Sequence, residues 1–427
     1  MSAPLYDALV KYQKSGRSSF HTPGHKNNPE ALPENIFALD YTELPETGSL
    51  FDGTFPISEA EKLASELFGT VRTCISAGGC TLCIQAMLRL AAPRGGKILC
   101  SRMIHRSAVN AMALLGIEPV WAMPQNILHV LGENPDVKAV YITSPDYYGR
   151  IMDIKPIAAL CKPNGTPLLV DCAHGTQLMF TKPKLHPLLF GAAMTADSAH
   201  KTLGVLTGGA WLNIADSRFS DGAKEAMALF GSTSPSYPVM ASLDLCREML
   251  QSKKLDFTVL QEKVKKIIKI AHGLGIATPE GLTDPTRITL NTASIGITGA
   301  GAAEIFRKNG VEPEYADRAS VILIATPFNT DADFERLINA IKKLPVGKPL
   351  NISACLPPLP PVNVDLREAV LAESKYVPLE NALGMTAAES VCPCPPGIPV
   401  VMPGEIFTKE ALPFLRGYGF SKVKVLK

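Results

Sequence analysis

From about residue 58 the chain alternates amphipathic helical stretches with short, almost unbroken apolar runs, and this alternation constrains the fold more than any other feature. The runs are KILC (97–100), KAVYIT (138–143), PLLVD (167–171), AAMTAD (192–197) and GAWLNI (209–214). Strands apolar on both faces must be covered on both faces, which predicts an α/β fold with a mainly parallel sheet under two layers of helices. HRSAVNAMALLG and IKPIAALC supply two of those helices. SEAEKLASELFG (58–69) is another: Ser58 is placed as N-cap, Glu61 three residues on as in a capping box, and Leu63, Leu67 and Phe68 form an apolar stripe closed by Gly69.

Further on, SYPVMASLDLCREMLQS (236–252) and DFTVLQEKVKKIIKIAHGLG (256–275) predict two long helices that carry the chain away from the sheet. Strands near ITLNTA and SVILIAT then predict a smaller α+β unit, followed by a Pro-rich connector, a final helix and the loop CPCPPGIPVVMPGE. A chain of 427 residues exceeds the about 250 to 300 at which single cores stop growing. The expected division is an N-terminal segment at 1–57, a large domain at 58–285 and a small domain at 286–427.

Composition excludes several classes of function. With 46% hydrophobic and 19% charged residues the chain is neither disordered nor fibrous. A net charge of +2 provides no field for nucleic acid or an acidic membrane surface, so a small-molecule substrate is expected. No apolar run reaches the roughly 18 to 20 residues of a membrane-spanning helix. The start, MSAPLYDALV, lacks the pattern of a secretory signal, so the ten cysteines are expected as reduced thiols in the cytoplasm. Cys80-x-x-Cys83 and Cys392-x-Cys394 each lack a second ligand pair, so no metal is expected.

The chemistry centres on ADSAHKTLGVLTGGA (196–210), where Lys201 follows an apolar strand. A partly desolvated lysine can serve as the free amine that attacks an aldehyde, as in Schiff-base enzymes of pyridoxal 5′-phosphate (PLP). Such chemistry needs an anion beside the pyridine nitrogen, and Asp171 ends the apolar run of PLLVD. It needs an anchor for a phosphate, which the glycine turn SAGGCT provides ahead of a helix, with Thr81 adding a hydroxyl. It also needs a flat group to stack on the ring, and His105 stands between a strand and a helix. Each residue also has an ordinary structural reading, as loop lysine, capping aspartate or surface histidine.

Their order, glycine turn, histidine, aspartate, lysine, is that of successive strand ends. The blocks FHTPGHK, SPDYYG, DCAHGTQ, DSAHKTL, TSPSYPVMASLD and PPGIPVVMPGE resemble those of the Orn/Lys/Arg decarboxylase family across residues 20 to 405. The resemblance implies a fold type I, transferase-like PLP enzyme, a homodimer with shared active sites that decarboxylates lysine, ornithine or arginine. It makes Lys201 the Schiff-base lysine, Asp171 the pyridine partner and His105 the stacking ring. Gly78, Gly79, Cys80, Ser198 and His200 become the phosphate cage, with His174 also beside the cofactor. Lys201 or His200 would return a proton to Cα. Thr233 and Ser234 would reach the partner's phosphate. His21, His25 and Lys26 would lie in the entrance loop and Glu405 in the substrate lining, with Asp40, Glu43, Glu46 and Asp52 as further candidates for the distal cation.

The turn Ala77-Gly78-Gly79-Cys80 departs from the family's hydroxyl-bearing wording, and LPETGSLFDGTFPIS departs at the substrate mouth. The chain starts near the catalytic unit, so the N-terminal wing of longer members and their ring assemblies are not expected. The same cofactor residues would also serve another fold type I reaction, such as transamination or side-chain cleavage. A non-catalytic PLP-binding protein whose phosphate turn has decayed is the third reading.

Overall fold

The computed structural model describes residues 12–32, 35–352, 357–393 and 398–427. The first strand, β1 (Ser18–Phe20), lies apart from the main sheet. Helix α1 (Ile57–Phe68) leads into a seven-stranded sheet made of β2 (Arg72–Ser76), β3 (Gly96–Ser101), β4 (Ile117–Ala122), β5 (Ala139–Thr143), β6 (Leu168–Asp171), β7 (Met194–Asp197) and β8 (Ala210–Ile214). Their order is β2-β8-β7-β6-β5-β3-β4, and only β8 runs against its neighbours. The five expected strands are all present. Two more form the edges, β2 and β4, and β4 contains Pro119, whose missing N–H is tolerated because no strand pairs beyond it.

The apolar runs are explained by the period of two along a strand. Ile98, Cys100, Tyr141 and Leu169 join the cluster under α2 (Gly79–Ala91) and α3 (Arg106–Leu115). The alternate residues Leu99, Val140, Ile142, Leu168 and Val170 join the opposite cluster, under α4 (Ile127–Glu133) and α5 (Ile154–Cys161). A strand buried on both faces has no polar position to break its pattern. Polar side chains therefore gather at the strands' C-terminal ends, where register sets Thr143 beside Asp171 and Asp171 beside Ala196.

Two local expectations are corrected. Helix α1 begins at Ile57 with Pro56 at its N-cap, and no side chain caps it, so Ser58 and Glu61 do not form a capping box. Glu61 instead turns into the core, where it receives Lys224 Nζ at 2.5 Å and the Ile75 amide at 2.9 Å. A buried ion pair outweighs an exposed cap for that carboxylate. Gly69 does close the helix, with φ of 68°. After α6 (Ala199–Thr202) and α7 (Ala223–Ala228), the long helices α8 (Tyr237–Gln251) and α9 (Phe257–Gly273) appear as expected. However, α8 does not leave the sheet: Met240, Leu243, Cys246 and Leu250 pack in one cluster with Phe68, Ile75 and Trp211.

Beyond α9, β9 (Arg287–Leu290) starts a three-stranded antiparallel sheet. Helix α10 (Gly299–Lys308) and β10 (Val311–Pro313) precede its other strands, β11 (Tyr315–Ala316) and β12 (Val321–Ile324). Strand β1 pairs in parallel with β10, so the N-terminal segment is tied to this later unit. The loop that follows β1 is thereby carried over the end of β7.

Candidate active site

Lys201 sits in α6, one turn beyond β7. The end of β7 is pinned by a buried network on Asp197, whose Oδ1 receives His186 Nε2–H at 2.8 Å. Its Oδ2 accepts the Asn213 amide at 2.9 Å and the Thr195 hydroxyl. Cys172, His186 and Asp197 are grouped closely enough to hold a metal ion, but the carboxylate already accepts three donors. The network positions the strand end from which Lys201 departs.

Lys201 Nζ lies 3.1 Å from His174 Nε2. His174 comes from the loop after β6, and its Nδ1 lies 3.3 Å from Arg287 Nη2. Burial, together with the nearby Arg287 cation, pushes His174 well below the usual histidine range. Asp171, at the end of β6, is 2% exposed. It accepts the Ala173 amide at 3.1 Å and the Tyr141 hydroxyl at 3.3 Å. Among the described residues it forms no ion pair. A buried carboxylate without a cation is costly, so the site fits a ligand that brings one.

The glycine turn opens α2, a helix of 13 residues whose N-cap, Gly78, offers no side-chain cap. Gly79 adopts φ of 69°, and its N–H donates to Gly208 O at 2.7 Å. That backbone is reserved for glycine, and the uncapped first turn is suited to an anion. Cys80 is turned away from the turn, with its thiol on Ala196 O at 3.2 Å. Burial and the Asp171 charge raise that thiol well above its ordinary value. Cys80 can therefore serve a phosphate through its backbone N–H, and the lost hydroxyl is not replaced by sulfur. Thr81 is exposed.

His105 caps α3, its Nδ1 accepting the Ser107 amide at 3.2 Å, and it is exposed. Ser198 Oγ lies 3.2 Å from His200 Nδ1, which also lies 3.2 Å from Gly209 O. A carbonyl only accepts, so Nδ1 of His200 carries a proton; burial keeps the ring below the usual histidine range. The entrance loop lies against this segment, with the Gly24 N–H on His200 O at 2.7 Å. A Cβ at Gly24 would meet Leu203 O at 2.5 Å, which is why this contact requires glycine. His25 Nδ1 accepts the Asn27 amide at 3.0 Å, and Lys26 Nζ donates to His21 O at 2.5 Å. Burial brings Lys26 down to about 7.

Other expected residues stand elsewhere. Thr233 and Ser234 are exposed on the loop between α7 and α8. Asp40, Glu43, Glu46 and Asp52 are exposed loop acids in the single chain. Glu405 is 2% exposed and held by both terminal nitrogens of Arg102 at 2.6 Å, with the Met402 amide also on it. Its charge is already matched. Cys394 lies outside the described residues.

The carboxylate that the fold does bring toward Lys201 is Glu314, absent from the sequence reading. The Tyr147 ring stands edge-on to His174 at 4.9 Å, and its hydroxyl donates to Glu314 Oε1 at 2.6 Å. Glu314 Oε2 accepts the Thr22 amide at 2.7 Å. Burial opposes the charge of Glu314, but Tyr147, Thr22, Arg287 and Lys26 outweigh it and hold the group below the usual carboxylate range. Tyr147 was visible in SPDYYG at the end of β5. Glu314 had no such signal, since it lies between two short strands and meets Thr22 across 292 residues.

The chain is similar to known proteins in sequence and in fold. A protein-family profile described as "Orn/Lys/Arg decarboxylase, major domain" matches residues 3–278, and "Orn/Lys/Arg decarboxylase, C-terminal domain" matches residues 361–419. The arginine decarboxylase of Halalkalibacterium halodurans is 30% identical over 97% of this chain and 92% of its own. The structure of Escherichia coli constitutive lysine decarboxylase matches with a TM-score of 0.74 at 18% identity, covering 100% of this chain and 82% of that one. A structure of SPT with PLP matches with a TM-score of 0.60 at 15% identity, covering 80% of this chain and 96% of that one. The fold is the α/β fold of the fold type I PLP-dependent enzymes.

Proposed function

The chain belongs to the Orn/Lys/Arg decarboxylase family, and from that premise we propose that it uses PLP to remove the α-carboxylate of a basic amino acid, releasing carbon dioxide and the amine. The observation that carries this reading is the pairing of a lysine amine, held against His174, with a buried aspartate that has no cation of its own. Lys201 would bind the cofactor covalently, Asp171 would face its ring nitrogen, His105 would stack on the ring, and the turn at Gly78 and Gly79 would lay the phosphate on the N–H groups of Cys80 and Thr81, with Ser198 and His200 beside it. Bound there, PLP supplies an electron sink for the bond that loses carbon dioxide.

The chain's own part is orientation and proton management. Asp171 balances a ring cation in a dry setting, where a charge-assisted hydrogen bond is strong. His174 and Tyr147 wall the space next to Lys201, and Lys201 or His200 would return a proton to Cα. Glu314 would receive the substrate's distal cation, in place of the acids expected from the sequence. The name of the Halalkalibacterium halodurans relative makes arginine the first substrate to test, ahead of lysine and ornithine.

The test is carbon dioxide release by the purified chain with PLP from arginine, lysine, ornithine and neutral norleucine. A basic substrate should win by at least about tenfold in kcat/KM, and equal rates with norleucine would reject the assignment. In Glu314→Gln, kcat/KM for the preferred basic substrate should fall about tenfold to a hundredfold, the worth of one hydrogen bond to a charged group, while the rate with norleucine stays unchanged. A similar fall for both substrates would remove Glu314 from cation recognition.

The homodimer is part of the same proposal. It is supported by the exposure of Thr233 and Ser234 and of Phe37, Tyr41 and Phe55, which are 84%, 57% and 71% exposed. Mixing Lys201→Ala chains with chains altered at Thr233 and Ser234 should restore activity through hybrid dimers. A monomer with full activity in sedimentation would refute shared sites. No helix among the described residues is long and apolar enough to cross a membrane. Action in the cytoplasm, and a division into domains near residue 285, complete the proposal.

A further inference from the structure

Both ring nitrogens of His174 face a nitrogen donor: Nε2 faces Lys201 Nζ at 3.1 Å and Nδ1 faces Arg287 Nη2 at 3.3 Å. A neutral imidazole has one N–H and one lone pair, so it can accept from only one of the two. A doubly protonated ring could accept from neither. Arginine keeps its protons under all ordinary conditions, so its N–H must be the donor and Nδ1 the acceptor. The proton of His174 is then on Nε2 and points at Lys201, whose nitrogen must offer a lone pair.

We propose that Arg287 is a positioning residue that locks His174 in the Nε2–H tautomer, so that Lys201 is presented with its lone pair free for attack on an aldehyde. The inference rests on the reading of Lys201 as the cofactor-binding amine. Arg287 is built for such a task. Its side chain is 2% exposed, and its Nε lies 3.8 Å from buried Asp284. Its stem is packed so closely by Gly149 that a Cβ at that glycine would meet Arg287 Cγ at 2.8 Å. Asp284 is itself held by the Gln177 amide at 2.7 Å and by Thr286. The guanidinium therefore has little freedom to leave Nδ1, and burial of His174 opposes a second proton on the ring.

The test is nitrogen NMR of the full-length chain, labelled with 15N-histidine, free of cofactor and near neutral pH, with His174 assigned by its loss in His174→Gln. The native chain should show a protonated Nε2 and a bare Nδ1. Arg287→Met should give a mixed or reversed tautomer, whereas Arg287→Lys and Arg287→Gln, which keep an N–H donor, should restore the native pattern. Rescue by the uncharged glutamine separates hydrogen-bond donation from charge. A second readout is the rate at which PLP is trapped on Lys201 by borohydride, expected to fall about tenfold in Arg287→Met and to recover in Arg287→Gln. A protonated Nδ1 in the native chain overturns the proposal, and this decides it even if Arg287→Met fails to fold. An unchanged tautomer in a folded Arg287→Met overturns it as well. Trapping of PLP on a different lysine instead overturns the functional reading, while the tautomer assignment is judged on the nitrogen shifts alone.

Discussion

Replacing Lys201 with alanine is expected to lower turnover by at least about a thousandfold, the scale on which enzymes lose rate when a covalent nucleophile is removed. The side chain has two duties in the proposed reaction, binding PLP and returning a proton, and alanine can perform neither. The fold should survive. Lys201 is half-buried, and among the described residues the polar contact of its Nζ is His174. Backbone bonds, including Lys201 N–H on Ser198 O at 3.1 Å and Leu203 N–H on Ala199 O at 2.8 Å, do not depend on the amine. The check is carbon dioxide release alongside thermal unfolding. In the native chain, borohydride reduction and peptide mapping should place the pyridoxyl group on Lys201. Retention of more than about a hundredth of native turnover in Lys201→Ala would exclude it as the essential amine.

The second large effect is expected for Asp171→Asn, a change of almost no volume. The Ala173 amide can still donate to the remaining oxygen, and the Tyr141 hydroxyl can turn to accept from the new amide, so packing is conserved. The negative charge is lost. A hydrogen bond to a charged group is worth about 1.5 to 3 kcal/mol, which alone corresponds to roughly tenfold to a hundredfold in rate. A pyridine nitrogen no longer kept protonated withdraws electrons less well, so kcat should fall further than PLP affinity does. Measuring kcat and the PLP dissociation constant separately reveals that split. Unchanged kcat with a folded protein would free Asp171 from any part in the chemistry.

The sequence by itself determined the layering and the main elements of the site. A run such as PLLVD can be apolar throughout only if helices cover both faces of its strand, and β6 lies between two apolar clusters. The same local logic placed Asp171 at a strand end, Lys201 just beyond another and Gly78 and Gly79 at a helix start, because these positions follow from backbone pattern within a few residues. The edge strand β4 escaped since Pro119 argues against a strand, and only a place at the sheet edge makes it acceptable.

What the sequence could not decide was the partner of each charged group. Glu61 had the spacing of a capping box, yet it is paired with Lys224 across 163 residues. Glu405 lay in a block that resembled a substrate lining, yet its charge is matched by Arg102 across 303 residues. Glu314 and Arg287 carried no motif, and they reach the neighbourhood of Lys201 because the unit formed by β9 to β12 packs beside the ends of β5 and β6. Periodicity and turn chemistry act over a few residues and are legible in one dimension. Coulomb and hydrogen-bond partners are chosen by distance in space, and a carboxylate's role is set by whichever cation or donor the completed fold delivers to it.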